Sequence, residues 1–392
     1  MRFRHPGGST VHLSYGTNVH PAEDLAGITT QLGQYAVPVR ERLGTNRLGV
    51  GLWLPADAAA GLAADPAATA RLRAGLRARG LETVTLNGFP YRSFHAPVVK
   101  RAVYTPDWSE PARLAYTLSL ARILAALLPD DVEGGSVSTL PWAWREPWLV
   151  EHRDRARRHL DSLASGLKDI RAETGRMIRV GLEPEPGCVA ETVSQAVDGL
   201  IGTDSAHVGL CLDACHLAVA HEDPATAVAH LQSSGIPVVK LQASAALQAD
   251  DPSHPAVRSA LRPFAEPRFL HQTREAVPGG GLLAADDLGE ALDGPAPLPG
   301  RAPWRVHYHV PLHARPEPPL TSTRPVLMQT LGALFGGERA ITSHVEVETY
   351  TWSVLPEGQR PNTENGLSAG IAAELDWARD RLGDLGLKEH TS

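Results

Sequence analysis

The chain has 392 residues, 43% of them hydrophobic and 21% charged, with a formal net charge of -7. That composition supports a large buried core, and the acidic balance argues against the basic face that nucleic-acid binding normally needs. No uncharged apolar run reaches the roughly 18 residues of a membrane span and the opening MRFRHPGGST has no apolar leader core, so a cytoplasmic protein without membrane insertion is expected.

Short β-branched runs alternate with longer helix-periodic stretches, the pattern of βα units around a parallel sheet. The first strand is predicted at Val11–Tyr15, with a helix over Ala22–Leu43. The second is Leu48–Leu54, followed by a helix reaching Arg79, and the third is Thr83–Leu86. A helix over Arg113–Leu128 leads to strand four at Val137–Leu140, and one over Leu149–Thr174 leads to strand five at Met177–Leu182. Strands six and seven are Val208–Leu212 and Val238–Leu241. A helix over Arg324–Phe335 precedes strand eight at Ala340–Val347. Eight such units make an α/β fold, a (β/α)8 TIM barrel spanning 1–392 as one domain.

Residues 245–318 interrupt this rhythm with dense Pro and Gly and two strand-like runs, Phe269–Arg274 and Arg305–Val310. They read as a long insertion in the loop after strand seven, carrying a β-hairpin; the rival reading makes Arg305–Val310 a barrel strand in place of an earlier one. Loops this long in a compact domain usually serve function. A terminal helix follows the polar stretch PEGQRPNTENGLSAG, and 387–392 is expected to be a flexible tail. Cys188, Cys211 and Cys215 form no Cys-x-x-Cys pair and read as buried, reduced thiols.

A TIM barrel carries its site where the strands end at the C-terminal face. Strand one runs into Asn18, strand three into Asn87, and strand four into Trp142. Strand five ends in Glu183 and Glu185, strand six in Asp213 and His216, strand seven in Lys240 and Gln242, and strand eight in Glu346 and Glu348. The insertion adds His307 and His309, which share a face if that run is extended, as do Glu346 and Glu348. A buried carboxylate is costly unless paired or bound to metal. Several on one rim repel each other, and a divalent cation relieves that; carboxylate oxygens and imidazole nitrogens suit Mn²⁺, Mg²⁺, Co²⁺ or Zn²⁺. Plainer roles exist for several members: a salt bridge within the barrel for Glu346, an Arg partner for Glu185, a backbone-bonded imidazole for His307 or His309, a self-bonded turn for Asn87, and packing for Trp142.

These residues resemble the xylose-isomerase-like superfamily, which includes ketose 3-epimerases, inosose-processing relatives and the endonuclease IV type. Leu182-Glu183-Pro184 matches the end of strand five in the epimerase branch, and Leu212-Asp213-Ala-Cys-His216 matches strand six. The resemblance implies a divalent metal held by Glu183, Asp213, a strand-seven ligand and Glu348 (or Glu346), with His216 contacting substrate. Strand seven departs from the pattern, because Gln242 or Lys240 stands where a histidine is usual. Either Gln242 ligates through its carbonyl oxygen, or His307 or His309 reaches in from the insertion, or the metal site is degraded; the second is preferred because the two histidines lie just before the helix leading to strand eight. The strings SYGTNVHP, TLNGFPY, STLPW, LEPEPG, CLDACHLAV, KLQASAAL, RVHYHVPL and HVEVETYTW, from about residue 13 to 356, resemble the metabolite traffic protein EboE family. That implies processing or export of a small metabolite such as a cyclitol or polyol.

The expected activity is therefore a metal-dependent isomerase or epimerase acting on a polyhydroxylated sugar or cyclitol. The metal ligands are Glu183, Asp213, Glu348 and one of Gln242 and His309. Glu183 and Glu348 are the acid and base on opposite faces of the substrate, and Lys240 steadies the oxyanion. Asn18, Asn87, Trp142, Glu185, His216, His307 and Glu346 are the expected substrate contacts. A homo-oligomer fits this class. The alternatives are a non-catalytic metabolite carrier in an export pathway and, disfavoured by the acidic charge, a nuclease of the endonuclease IV type.

Overall fold

The computed structural model describes residues 1–390 and shows eight parallel strands closed into a barrel. The strands are β1 (Thr10–Gly16), β2 (Leu48–Trp53), β3 (Thr85–Asn87), β4 (Gly134–Thr139), β5 (Met177–Leu182), β6 (Val208–Asp213), β7 (Val238–Ala243) and β8 (His344–Val347). Val345 of β8 pairs with both Leu13 and Leu241, and Tyr15 of β1 pairs with Val50, which closes the ring. Every residue of β2, β6 and β7 is buried, as expected where helices cover one face of a parallel sheet and side chains fill the lumen. The lumen is tight at β2: a Cβ on Gly51 would sit 1.7 Å from Oε2 of Glu346, so only glycine leaves room for that carboxylate.

The first expected helix is three segments, Leu25–Gln31, a π turn over Leu32–Ala36, and Val37–Arg42. Pro38 lies at the start of the last segment; it lacks an N–H, and the π turn absorbs the break. The second expected helix is divided at Asp65, which caps Pro66–Ala78 by accepting from the Ala67 N–H at 2.9 Å. Strand eight begins four residues later than expected, at His344.

The insertion forms its own five-stranded antiparallel sheet, larger than a single hairpin. Its order is Leu282–Ala285, Thr273–Ala276, Trp304–His309, Ala246–Ala249 and Leu320–Ser322. The 305–310 run therefore belongs to this sheet and not to the barrel. Buried Glu275 organises it by accepting from the N–H groups of Gly300 and Arg301 and from Trp304 Nε1, at 2.8, 2.7 and 2.8 Å. The segment expected to fray after Gly386 is held as far as it is described: Leu387 is buried and Lys388–Glu389 pairs with the edge strand Arg2–Arg4. Residues 391 and 392 lie outside the described residues. No helix among the described residues is long and apolar enough to cross a membrane.

Glu82, at the N-terminal end of the barrel, is 3% exposed and takes a bidentate contact from Arg2 at 2.8–3.1 Å. Burial pushes its carboxyl up, but His12 and Arg2 outweigh that and lower its pKa from 4.5 to about 2. A depressed carboxyl contributes stability above its unfolded pKa, and that contribution is lost as pH falls through the folded value. Glu82→Gln should therefore cost about 3 kcal/mol at pH 7. In urea titrations the gap between variant and wild type should stay constant above pH 5 and shrink as pH falls toward 2; a gap unchanged at low pH would refute the assignment.

Candidate functional site

The strand ends deliver three carboxylates to one point. Glu183, Asp213 and Glu348 are all buried, and one oxygen from each lies within 4.8 Å of the others. Asp213 ends β6 and caps the next helix. Its Oδ1 accepts from the His216 N–H at 2.9 Å and from Ser244 Oγ at 2.7 Å, which leaves Oδ2 free to face the cluster. Glu183 is placed by its own N–H, which donates to the Thr139 carbonyl of β4 at 2.9 Å; its Oε2 has no partner. Glu348 is fixed by two amides, Asn18 Nδ2 at 2.9 Å and Asn87 Nδ2 at 2.8 Å. Asn87 also accepts from the Phe89 N–H at 3.0 Å, so the same side chain holds its turn and the site.

Trp304–His309 brings in the imidazoles from outside the barrel. Strand alternation points His307 and His309 inward and sends Tyr308 the other way, against Phe264 and His271. His309 Nδ1 donates to the Glu348 carbonyl at 2.7 Å, so Nε2 carries the lone pair. That Nε2 has no hydrogen-bond partner and lies 3.9 Å from Asp213 Oδ2. Gln242, one residue before the end of β7, is in register with Asp213 and Glu346; it is fully buried and both amide atoms lack partners.

Burial, and then the neighbouring Glu348 and Asp213, lifts the Glu183 carboxyl well above its ordinary range. Burial, Asp213 and Glu346 raise Glu348 to about 8, and burial raises Glu185 to about 8. Burial lowers His216 to about 4 and lowers His307 and His309 as well. The site is thus rich in buried acceptors, and its unpartnered oxygens and nitrogen are donors of the kind a divalent cation takes. Above it lies a cavity of about 60 Å³, walled by Phe89, Phe94, Phe269 and Tyr350. Glu183, Glu185, Glu348, His216, His307, His309, Asn18 and Asn87 line its polar part.

Residues 48–293, well over half of the chain, match the family model of xylose isomerase-like TIM barrels. The chain belongs to that family. Three solved structures share its fold. A D-tagatose 3-epimerase-like protein is 12% identical, with TM-score 0.51 over 96% of this chain and 98% of that one. A D-psicose 3-epimerase in the presence of D-fructose is 12% identical, with TM-score 0.51 over 95% and 99%. A D-psicose 3-epimerase with D-tagatose from Clostridium cellulolyticum H10 is 14% identical, with TM-score 0.50 over 95% and 99%. At these identities the likeness is one of fold. No curated protein matches the chain significantly.

Three of the expected catalytic and substrate-contact residues of this xylose isomerase-like barrel do not line the cavity. The oxyanion role expected of Lys240 does not fit its position: it is fully buried in the lumen, 3.2 Å from Glu346 Oε2 and 3.3 Å from Ser138 Oγ. Glu346 is correspondingly a salt-bridge partner and not a substrate contact, because strand alternation sets it two residues below Glu348, facing Gly51. Trp142 packs over Gly199 on the far side of the β4 loop and stacks on nothing in the cavity. Four contributors escaped the sequence reading. Tyr104 donates to Glu185 at 2.6 Å, Gln272 bridges Tyr104 and His307, Ser244 supports Asp213, and Tyr350 lines the cavity. Ser244, two residues past Gln242, was legible from strand period; Tyr104 ends a short 3-10 turn and Gln272 lies in the strand-like run of the insertion, and nothing local in the sequence showed that they meet at Glu185 and His307.

Lys240 and Glu346 test the corrected reading. Lys240→Met leaves a buried carboxylate without its cation and should destabilise the fold by about 3 kcal/mol, with Glu346→Gln added in the same chain recovering much of the loss. Thermal unfolding of the single and double variants decides; a Lys240→Met protein as stable as wild type would restore an oxyanion role.

Proposed function

We propose that the protein is a divalent-metal-dependent isomerase or epimerase of a small polyhydroxylated carbonyl compound, a sugar or cyclitol. The observation that supports this most is the convergence of Glu183, Asp213 and Glu348 at the floor of the cavity, with the bare Nε2 of His309 3.9 Å from Asp213 Oδ2. In this reading His309, from the insertion, takes the ligand position where the strand-seven residue is Gln242. A cation held by these four groups would supply Lewis acidity to a substrate carbonyl, making the neighbouring C–H easier to deprotonate.

The chain's own residues then move the proton. One of Glu183 and Glu348 takes it from carbon, and the other returns a proton to the opposite face or to the adjacent carbon. Burial raises both carboxyls, Glu348 to about 8, which favours groups able to hold a proton as well as release one. Asn18 and Asn87 hold the Glu348 carboxylate in one orientation, and the aromatic wall keeps water from the reacting carbon. His216, His307 and Glu185 face the cavity where substrate hydroxyls would bind. The finer resemblance to the metabolite traffic family EboE supports a cyclitol or polyol of a biosynthetic or export pathway as substrate.

The protein with Mn²⁺ or Co²⁺ should catalyse deuterium uptake from D₂O at the carbon beside the carbonyl of a ketose or inosose panel, read by NMR. Glu183→Gln should lower that rate at least about 100-fold and leave the melting temperature near wild type. Full exchange by the variant would remove the proposed chemistry. No exchange and no bound divalent ion in the wild-type protein would instead describe a metabolite carrier.

A further inference from the structure

Beside the carboxylate cluster, His216 and His307 approach each other through Nε2 atoms 3.0 Å apart. That is hydrogen-bond distance, yet their surroundings deny the pair a hydrogen. His216 Nδ1 lies 2.9 Å from the Pro184 carbonyl, which can only accept, so the ring's proton is on Nδ1. For His307 the argument passes through Gln272. The Gln272 amide nitrogen is 2.9 Å from the Pro186 carbonyl and must be the NH₂ group. Its other atom, Oε1, is therefore an acceptor, and it lies 2.7 Å from His307 Nδ1, which must donate. Both neutral rings thus carry their proton on Nδ1 and present lone pairs to each other through Nε2. Two buried lone pairs at 3.0 Å repel unless something positive sits beside both.

The surroundings supply the rest of a site. Glu185 places a carboxylate oxygen within 4.8 Å of one nitrogen from each ring; its Oε1 accepts from Tyr104 and lies 3.7 Å from the Nδ1 edge of His307, and its carboxylate must turn toward the Nε2 pair to complete the site. The Tyr350 hydroxyl is 3.5 Å from His307 Nε2. All four side chains border the cavity. Two nitrogens each about 2.1 Å from one ion stand about 3.0 Å apart when the angle at the ion is near 90°. We infer that His216, His307 and Glu185 form a second cation site, adjacent to the carboxylate cluster and selective for an imidazole-preferring ion such as Zn²⁺ or Co²⁺. Gln272 and Pro184 are its outer supports, because they fix the tautomer that leaves both Nε2 atoms bare. The inference goes beyond the proposed activity, which needs only the first site.

The test is metal stoichiometry of the full chain. After equilibration with Zn²⁺ and dialysis, elemental analysis should find two ions per wild-type chain and one in His307→Ala. One ion in both proteins overturns the second site and leaves the carboxylate site standing; no ion in wild type overturns both. Nitrogen-15 NMR of the histidines in wild-type protein gives an answer that does not depend on the variant folding. The His216 and His307 Nε2 resonances should be those of bare nitrogens before Zn²⁺ and shift on its addition. A single proton shared between the two nitrogens, unmoved by Zn²⁺, contradicts the inference.

Discussion

Glu183, Asp213 and Glu348 bring three carboxylates within 4.8 Å of one another in a place that water barely reaches. Like charges at that spacing, in surroundings of low dielectric, repel by several kcal/mol at the least. The fold nevertheless stabilises the arrangement from several sides: β4 fixes Glu183, Ser244 and a helix N-terminus fix Asp213, and Asn18 and Asn87 fix Glu348. A chain that needed only stability would fill these positions with apolar side chains, and this is the ground on which we propose that they hold a cation.

Another buried acid of the barrel shows what the alternative looks like. Glu346 lies one strand repeat below Glu348 and is compensated within the chain by Lys240, in room made by Gly51. The barrel thus has two charged layers, one closed by its own lysine and one left open toward the cavity. The insertion serves the open layer. Its sheet carries His307 and His309 on one face, and Glu374 of the terminal helix secures both approaches: its carboxylate accepts from the Leu312 N–H, from Thr349 Oγ1 and from Trp352 Nε1. The insertion and the β8 loop therefore cannot shift independently, and His309 and Glu348 stay in register.

The barrel was legible because its βα alternation is local: each strand is a short apolar run, and each run stops at its polar residue. The same reasoning located Glu183, Asp213, His216 and Glu348, since the end of a run is visible in sequence. It overreached at Lys240, Glu346 and Trp142, where depth within the lumen or the direction of a loop decides the role and neither is written locally. The insertion was seen as a stretch that did not fit the rhythm, but its five-stranded pairing joins residues far apart in sequence. The tautomers of His216, His307 and His309 rest on Pro184, Gln272 and the Glu348 carbonyl, contacts between residues far apart in sequence, and those of His307 and His309 exist only once the insertion is folded over the barrel.

The central claim is that the open carboxylate layer holds a divalent cation with His309 as its nitrogen ligand. Crystals equilibrated with Mn²⁺ and measured for anomalous scattering test it most directly. The account predicts a peak bounded by Glu183, Asp213, Glu348 and the Nε2 of His309. A rim without a peak, or an ion held there with His309 turned away, would contradict it.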